Sequence, residues 1–593
     1  MRRTPRKALM LAAALAATSV IPLTVLTAGT AAQAATGAKD VTANLFMWNW
    51  TSVASECANV LGPDGYAAVQ VAPPEDSLDT SAHPWWEIYQ PVDYNLSSRM
   101  GSETQFKSMV AACHNAGVKV YVDAVVNHMA AQSGIGTSYG GATYTPGTQY
   151  PAYSTPDFHN YPNDCPVSTD QITDWNNYQQ VTECELDSLP DLRTESTYVR
   201  STIAGYLNKM IGYGVDGFRL DAAKHIGHTD LAAIEALLNK DTTTGQPVYI
   251  TQEVALGSTN TALQPASFEN TGSLLGFDYA DALKTQFNGN ISNFGGFSSW
   301  SLLPSAYSSS FVNNHDTERD GSNLSYKDGA TYDIATEFLL AWGYGTPQVY
   351  SGFDFTNTDD SPPAASNGMV TNTDCANGWS CTDRVRGVAN MVAWHNLALT
   401  DNDAVANWYS DGSNLISFSR GSDAWIAVNN ESSAQTHTFT TGLPNGTYCD
   451  FIHGDYANSS CSGPTVTVSG GTATVTVPAK DAVAFDVNTR VTSASSSYDA
   501  ITFDEYKTTT WGQNVYLVGD NTLLGAWNTA NALPLSSAAY PTWSVTVQLP
   551  PNTAIQYKFI LKDGSGNVTW ESGSNRTYTT PPSGSATIND TWQ

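Results

Sequence analysis

The chain has 593 residues, with 26 Lys plus Arg against 55 Asp plus Glu and a net charge of −29. That excess of acid repels polyphosphates and anionic lipid surfaces, so nucleic-acid binding is excluded. Only 14% of residues are charged while 41% are hydrophobic and 11% aromatic, which excludes a disordered chain and predicts about three or four packed domains.

Residues 1–35 read as a secretory signal. Arg2, Arg3, Arg6 and Lys7 precede an apolar run from Ala8 to Val25, and Ala32-Gln33-Ala34 supplies a cleavage pattern. Thr18, Ser19, Pro22 and Thr24 interrupt the run, which argues against a retained anchor. A soluble, extracellular mature chain is therefore expected. The eight cysteines are Cys57, Cys113, Cys165, Cys184, Cys375, Cys381, Cys449 and Cys461. With export to an oxidising compartment they predict disulfides, and their spacing leaves every connectivity open.

From residue 36 to about 400, strand-like and helical runs alternate. Ser102 opens a capping box with Gln105; Phe106, Met109, Val110 and Cys113 follow at helical spacing, and Gly117 stops the helix. Val118–Val122 is the strand after it. The unit repeats with a helix through Val199, Ile203, Tyr206, Leu207, Met210 and Ile211, then a strand over Val215–Leu220. A helix at Leu231, Ile234, Leu237 and Leu238 precedes a strand at Val248–Ile250. Such repeats require parallel strands, hence an α/β fold: a β/α barrel or a doubly wound sheet. Residues 129–190 are irregular and too long for one loop, so they read as a small inserted domain. Beyond about residue 401 the helical period fades. Residues 401–489 read as an all-β domain, with a hairpin of Thr465–Val468 and Thr472–Val477 around Gly470-Gly471. A linker at 490–498 leads to a second β domain at 499–593, with strands near Val515–Val518, Trp543–Leu549 and Ile555–Leu561.

In a barrel, functional residues sit at the C-terminal strand ends. Asn127-His128, Arg219 with Asp221, Lys224-His225, Glu253 and Asn314-His315-Asp316 all fall there. A single acid at a strand end is more often a cap or turn former. Three acids ending three strands are the equipment for glycoside hydrolysis, where one carboxyl donates a proton and another stays ionised. Arg219, two residues before Asp221, shares its side of the strand and is expected to hold it ionised. Glu253, with no adjacent cation in sequence, is expected to be the acid.

Asp123-Ala-Val-Val-Asn127-His128, Gly217-Phe-Arg219-Leu-Asp221-Ala-Ala-Lys224-His225, Gln252-Glu253-Val254 and Phe311-Val-Asn-Asn-His315-Asp316 resemble, in order, four motifs of the α-amylases of glycoside hydrolase family 13. Leu189-Pro190-Asp191-Leu192 resembles a fifth. Gln70–Pro74 and Pro84–Pro91 look most like the animal-type branch. The resemblance implies a (β/α)8 barrel with the insert after its third strand. It also implies Asp221 as nucleophile, Glu253 as acid and base, and Asp316 as transition-state stabiliser. Trp85, Trp86, Tyr89, Gln90, His128, Arg219, Lys224, His225 and His315 would bind the sugar chain. A structural calcium held by Asn127, Asp191 and the carbonyls of Thr182 and His225 is expected. Gln348, standing where chloride-dependent relatives have a base, makes chloride unexpected. The implied disulfides are Cys57–Cys113, Cys165–Cys184, Cys375–Cys381 and Cys449–Cys461.

Residues 499–593 resemble a family 20 starch-binding module, a β-sandwich, through Val515–Gly519, Leu524–Trp527, Tyr557–Phe559 and Trp570–Arg576. The resemblance implies one sugar site at Trp527, Lys558, Trp570, Glu571 and Asn575, and a second at Trp511, Tyr540 and Trp543. The sequence thus points to a secreted, monomeric, endo-acting enzyme cutting α-1,4 bonds of starch. An amylase of the same family that forms cyclodextrins or one short oligosaccharide is the alternative, and a non-catalytic starch-binding protein the remote one.

Overall fold

The computed structural model describes residues 38–132, 136–400, 404–491, 499–581 and 584–593. The expected signal at 1–35 lies outside the described residues, as do 492–498 of the expected linker.

Eight parallel strands close into a barrel: β1 (Thr42–Leu45), β2 (Ala68–Val71), β3 (Lys119–Ala124), β4 (Gly217–Leu220), β5 (Tyr249–Gln252), β6 (Ser273–Leu275), β7 (Ser308–Phe311) and β8 (Thr346–Phe353). Each pairs with the next, and β8 returns to β1 with Gln348 opposite Thr42. Every residue of β1, β2, β4 and β7 is buried. This is why these strands do not alternate apolar with polar residues, and why the polar side chains they do carry, Gln70 and Arg219 among them, are partnered inside the barrel.

The connecting helices follow their sequence signals. The helix Glu103–Asn115 begins with both bonds of the Ser102–Gln105 capping box and buries Phe106, Met109, Val110 and Cys113. Helix Thr197–Ile211 buries the six apolar side chains that marked it. β4 opens on Gly217, where an added Cβ would lie 2.6 Å from the Tyr249 carbonyl oxygen and 2.8 Å from the Tyr121 ring. Only glycine lets β4 approach β5 there, pairing Arg219 with Thr251. That register sets the ends of the two strands, and their acids, side by side.

Residues 129–190 leave the barrel after β3. They contain a short ladder of Gly136–Thr137 with Thr143–Tyr144 and the helix Tyr178–Glu183. All four implied disulfides are formed: Cys57–Cys113, Cys165–Cys184, Cys375–Cys381 and Cys449–Cys461.

After the barrel come β9 (Val405–Ser410), β10 (Leu415–Arg420), β11 (Ala424–Asn429), β12 (Gln435–Thr440), β13 (Gly446–Cys449), β14 (Thr465–Val468), β15 (Thr472–Val477) and β16 (Asp481–Asp486). The hairpin expected at 465–477 is half right. Gly470 and Gly471 have φ of 62° and 74°, and Ser469 and Thr472 exchange both backbone bonds across the turn. The strands then part: β14 pairs with β13, and β15 pairs with β12 in another sheet. The tight turn is a local property, whereas partner choice is decided by which sheet offers a free edge.

The last region holds β17 (Asp499–Tyr506), β18 (Asn514–Gly519), β19 (Thr542–Leu549), β20 (Ala554–Lys562), β21 (Arg576–Thr579) and β22 (Ala586–Thr591). β17 lies between β19 and β22, while β20 pairs with β18 and β21. The two sheets bury Ile501, Phe503, Val515, Leu517, Trp543 and Phe559 between them. Among the described residues no helix is long and apolar enough to cross a membrane.

Candidate active site

Asp221 directly follows β4 and Glu253 directly follows β5; the Glu253 amide donates to the Leu220 carbonyl at 3.0 Å, continuing the ladder. His315 and Asp316 follow β7 by a few residues. The chain turns sharply after Asp221: Ala222 has φ 48°, costly for a residue with a side chain. This turn aims the Ala222 amide at Glu253 Oε2, 2.9 Å away.

One cation organises the site. Arg219 Nη1 donates to Asp123 Oδ1 at 2.6 Å and to Asp221 Oδ1 at 2.7 Å, and Nη2 lies 3.0 Å from Glu253 Oε2. The absence of a cation beside Glu253 in sequence therefore does not carry into space, because Arg219 reaches across from the neighbouring strand. Nor does Arg219 act on Asp221 alone. Burial pushes the Asp221 carboxyl well up; Glu253 and Asp123 add to this while Arg219 opposes it. Burial and Glu253 raise Asp316 to about 7, against the pull of Arg219 and Arg319.

The cleft above these groups has a volume of about 340 Å³. Trp85, Trp86, Tyr89, Gln90, His128, His315 and the three acids line it. Tyr89 donates its hydroxyl to Asp123 at 2.8 Å, and the Tyr89 carbonyl is 3.0 Å from His128 Nε2. His315 is held between Phe46 and Tyr89, with ring centroids 4.5 and 5.0 Å away. Burial holds His128 down to about 4 and His315 well below its usual value, so both are neutral near pH 7. Trp85 is anchored by an indole bond to the Thr358 carbonyl at 2.7 Å.

Three expected sugar-binding residues are nearly fully buried. Arg219 is 1% exposed, beneath the floor with its nitrogens turned to carboxylates. Lys224 and His225 are buried; Lys224 Nζ donates to the Ala255 carbonyl and His225 Nδ1 meets the Val181 carbonyl. Conversely, Leu186, Asp187, Leu189 and Ala222 line the cleft and were not anticipated. Trp175 lies outside the cleft lining; it is 48% exposed and stands edge-on to His225 at 6.0 Å. Neighbouring Asn176 accepts the Thr259 amide at 2.7 Å, tying the insert to the segment after Glu253. Apart from Ala222, these residues sit in the irregular insert, where no periodicity marks a face.

The expected calcium is corrected. Among the described residues, no group of three or more His, Cys, Asp or Glu could hold a metal ion. Of Asn127, Thr182, Asp191 and His225, only Asp191 carries a carboxylate, and both its oxygens are engaged. Asn127 Nδ2 donates to Oδ1 at 3.2 Å, and His159 Nδ1 lies 2.7 Å from Oδ2. Burial lowers His159, but its hydrogen bonds to Asp191 and Glu195 outweigh this and push it up to about 10.

In the C-terminal region Trp527 and Trp570 form a tilted pair with centroids 6.4 Å apart, and Trp570 is 41% exposed. Lys558 and Glu571 are buried: Lys558 Nζ donates to the carbonyls of Glu571, Ser572 and Gly573, and Glu571 pairs with Arg576 at 2.7 Å. They shape the loop that presents Trp570. Asn575 is exposed and donates to Gln556 at 3.0 Å. A separate hollow of about 580 Å³ is lined by Trp511, Tyr540 and Trp543. Trp511 is fully exposed and Tyr540 half-exposed, while Trp543 is a core residue showing only an edge.

A closed parallel barrel whose strand ends converge three acids in an aromatic cleft defines a glycoside hydrolase. Family profiles agree: the α-amylase catalytic domain matches residues 66–265, the α-amylase C-terminal all-β domain 406–488, and the starch binding domain 499–590. The α-amylase of Streptomyces violaceus is 43% identical over 571 residues, covering 94% of each chain. That of Hypothenemus hampei is 39% identical, covering 76% of this chain and 93% of its own. α-Amylase I of Eisenia fetida superposes with a TM-score of 0.72 at 37% identity, covering 76% of this chain and 97% of that one. A variant of the same enzyme was solved in complex with maltohexaose. The chain belongs to the α-amylases of glycoside hydrolase family 13 and carries a C-terminal family 20 starch-binding module.

Proposed function

We propose that the chain is a secreted, endo-acting, retaining α-amylase in which Asp221 is the nucleophile, Glu253 the acid and base, and Asp316 the transition-state stabiliser. The observation that carries this is the convergence of the three acids in one aromatic cleft, with Asp221 and Glu253 sharing adjacent nitrogens of Arg219. Sharing one guanidinium favours the close carboxylate spacing of about 5 Å typical of retention over the wider gap of inversion. In the first step Glu253 gives its proton to the leaving glycosidic oxygen while Asp221 attacks the anomeric carbon. In the second, Glu253 takes a proton from water, which displaces Asp221. Trp85, Trp86, Tyr89, Gln90, His128 and His315 bind the chain on the cleft wall, with Trp175 a platform beyond His225. Arg219, Lys224 and His225 act from behind the surface.

The proposed organisation is a signal at 1–35, the barrel at 36–400 with its insert at 129–190, the all-β domain at 401–489, a linker at 490–498 and the starch-binding module at 499–593. The disulfides and the absence of a membrane-crossing helix among the described residues support export. The test is direct. Asp221→Asn or Glu253→Gln should lower hydrolysis by about 10⁴-fold or more while adsorption to starch granules persists. Appreciable turnover by either purified variant would remove the assignment.

A further inference from the structure

Arg319 lies three residues after Asp316, in the turn Thr317–Asp320, with its side chain only 4% exposed. Nη1 donates to the His315 carbonyl at 2.6 Å and to Glu318 Oε1 at 2.8 Å. Glu318 is pinned in turn by the Tyr350 hydroxyl at 2.8 Å. The remaining nitrogens, Nε and Nη2, have no hydrogen-bond partner. Aromatic rings surround them: the guanidinium carbon is 4.8 Å from the Trp85 ring, 4.9 Å from Phe353, 4.7 Å from Phe355 and 5.5 Å from Phe46.

Burying a guanidinium with two unpartnered nitrogens is costly, even with ring faces in partial compensation. An aliphatic side chain would fill the same space without that cost. The location suggests what the cation does. Its one backbone bond fixes the carbonyl of the residue before Asp316. Its cage is the reverse side of the cleft wall, since Trp85 lines the cleft on one side and Phe46 stacks on His315. The charged and titratable groups around Asp316 are His315, Tyr89, Asp221, Glu253, Asp123, Arg219 and Arg319. Arg219 is already divided among Asp123, Asp221 and Glu253. Arg319 is the other cation of this group.

We propose that Arg319 is a positioning residue for the reaction: it fixes the His315–Asp316 backbone and the Trp85 wall from behind, as a second cation in the same turn as Asp316. The inference rests on the reading that Asp316 acts at the reacting sugar. The experiment compares Arg319→Met and Arg319→Lys, each alone and combined with Asp316→Asn, in the full chain on a maltooligosaccharide across pH. Arg319→Met should lower kcat by about 100-fold and move the acid limb of kcat/KM to higher pH. Arg319→Lys, keeping the charge without the fork, should lose kcat while the limb stays in place. In the Asp316→Asn background neither substitution should cost more than about threefold further. An Arg319→Met enzyme with kcat within about threefold of the parent and an unmoved limb would overturn the proposal, as would full additivity with Asp316→Asn. If Arg319→Met lacks a folded melting transition, the Arg319→Lys profile decides: a limb displaced to higher pH there contradicts the role given to the charge. Should Asp316→Asn alone leave hydrolysis intact, the role of Asp316 itself falls, an outcome distinct from an inactive Asp316→Asn beside an unaffected Arg319→Met.

Discussion

The barrel cleft and the starch-binding module use charge and aromatic surface in opposite ways. In the cleft, carboxylates converge at the floor and rings such as Trp85 and Tyr89 line the same walls. In the module, the rings Trp511 and Trp570 face solvent, while Lys558, Glu571 and Arg576 are spent on shaping loops. Bond cleavage needs charges in a place largely shielded from water, where their strength is not screened. Adsorption to a neutral glucan needs exposed flat faces and no net charge.

Substitutions can separate the two regions. The largest effect is the loss of turnover in Asp221→Asn, which should leave granule adsorption unchanged. Trp570→Ala should do the reverse: granule binding weakens roughly tenfold, with hydrolysis of a dissolved oligosaccharide unaffected. Depletion assays with insoluble starch, run beside kinetics on the dissolved substrate, would show whether the functions cross. Any comparable loss of kcat in Trp570→Ala would mean that the regions are coupled.

A smaller effect concerns stability. Glu505 in β17 is fully buried, neither of its oxygens has a hydrogen-bond partner, and burial raises it to about 8. A carboxyl that binds its proton more tightly when folded stabilises the fold at low pH. That contribution is full below the unfolded pKa of about 4.3 and is lost as pH rises through the folded value. Glu505→Gln should therefore raise the melting temperature of the module transition by a few degrees at pH 9 and leave it nearly unchanged at pH 5. Calorimetry of the full chain at both pH values checks this, and equal shifts would mean that Glu505 does not titrate as described.

Much of this arrangement was legible in the sequence wherever a local signal determined it. The Ser102–Gln105 box placed a helix, and the acids stood at strand ends as a parallel barrel requires. What escaped depends on contacts between distant segments. Glu253 looked free of cations because Arg219 belongs to another strand. β14 and β15 looked like partners because a two-glycine turn joins them, yet each found its edge in a different sheet. Leu186 and Asp187 reach the site from the insert, whose path follows no period. The calcium expectation came from resemblance alone, and the His159 contact that engages Asp191 joins residues separated by 32 positions.

The central claim is that Asp221 attacks the anomeric carbon while Glu253 and Asp316 surround the same sugar. Reaction with a fluorinated maltosyl fluoride that slows the second step, followed by peptide mass spectrometry, tests it most directly. A glycosyl adduct on Asp221, accumulating in the parent enzyme and absent in Asp221→Asn, is the expected result. An adduct on another carboxylate, or a product of inverted anomeric configuration with no adduct, would contradict it.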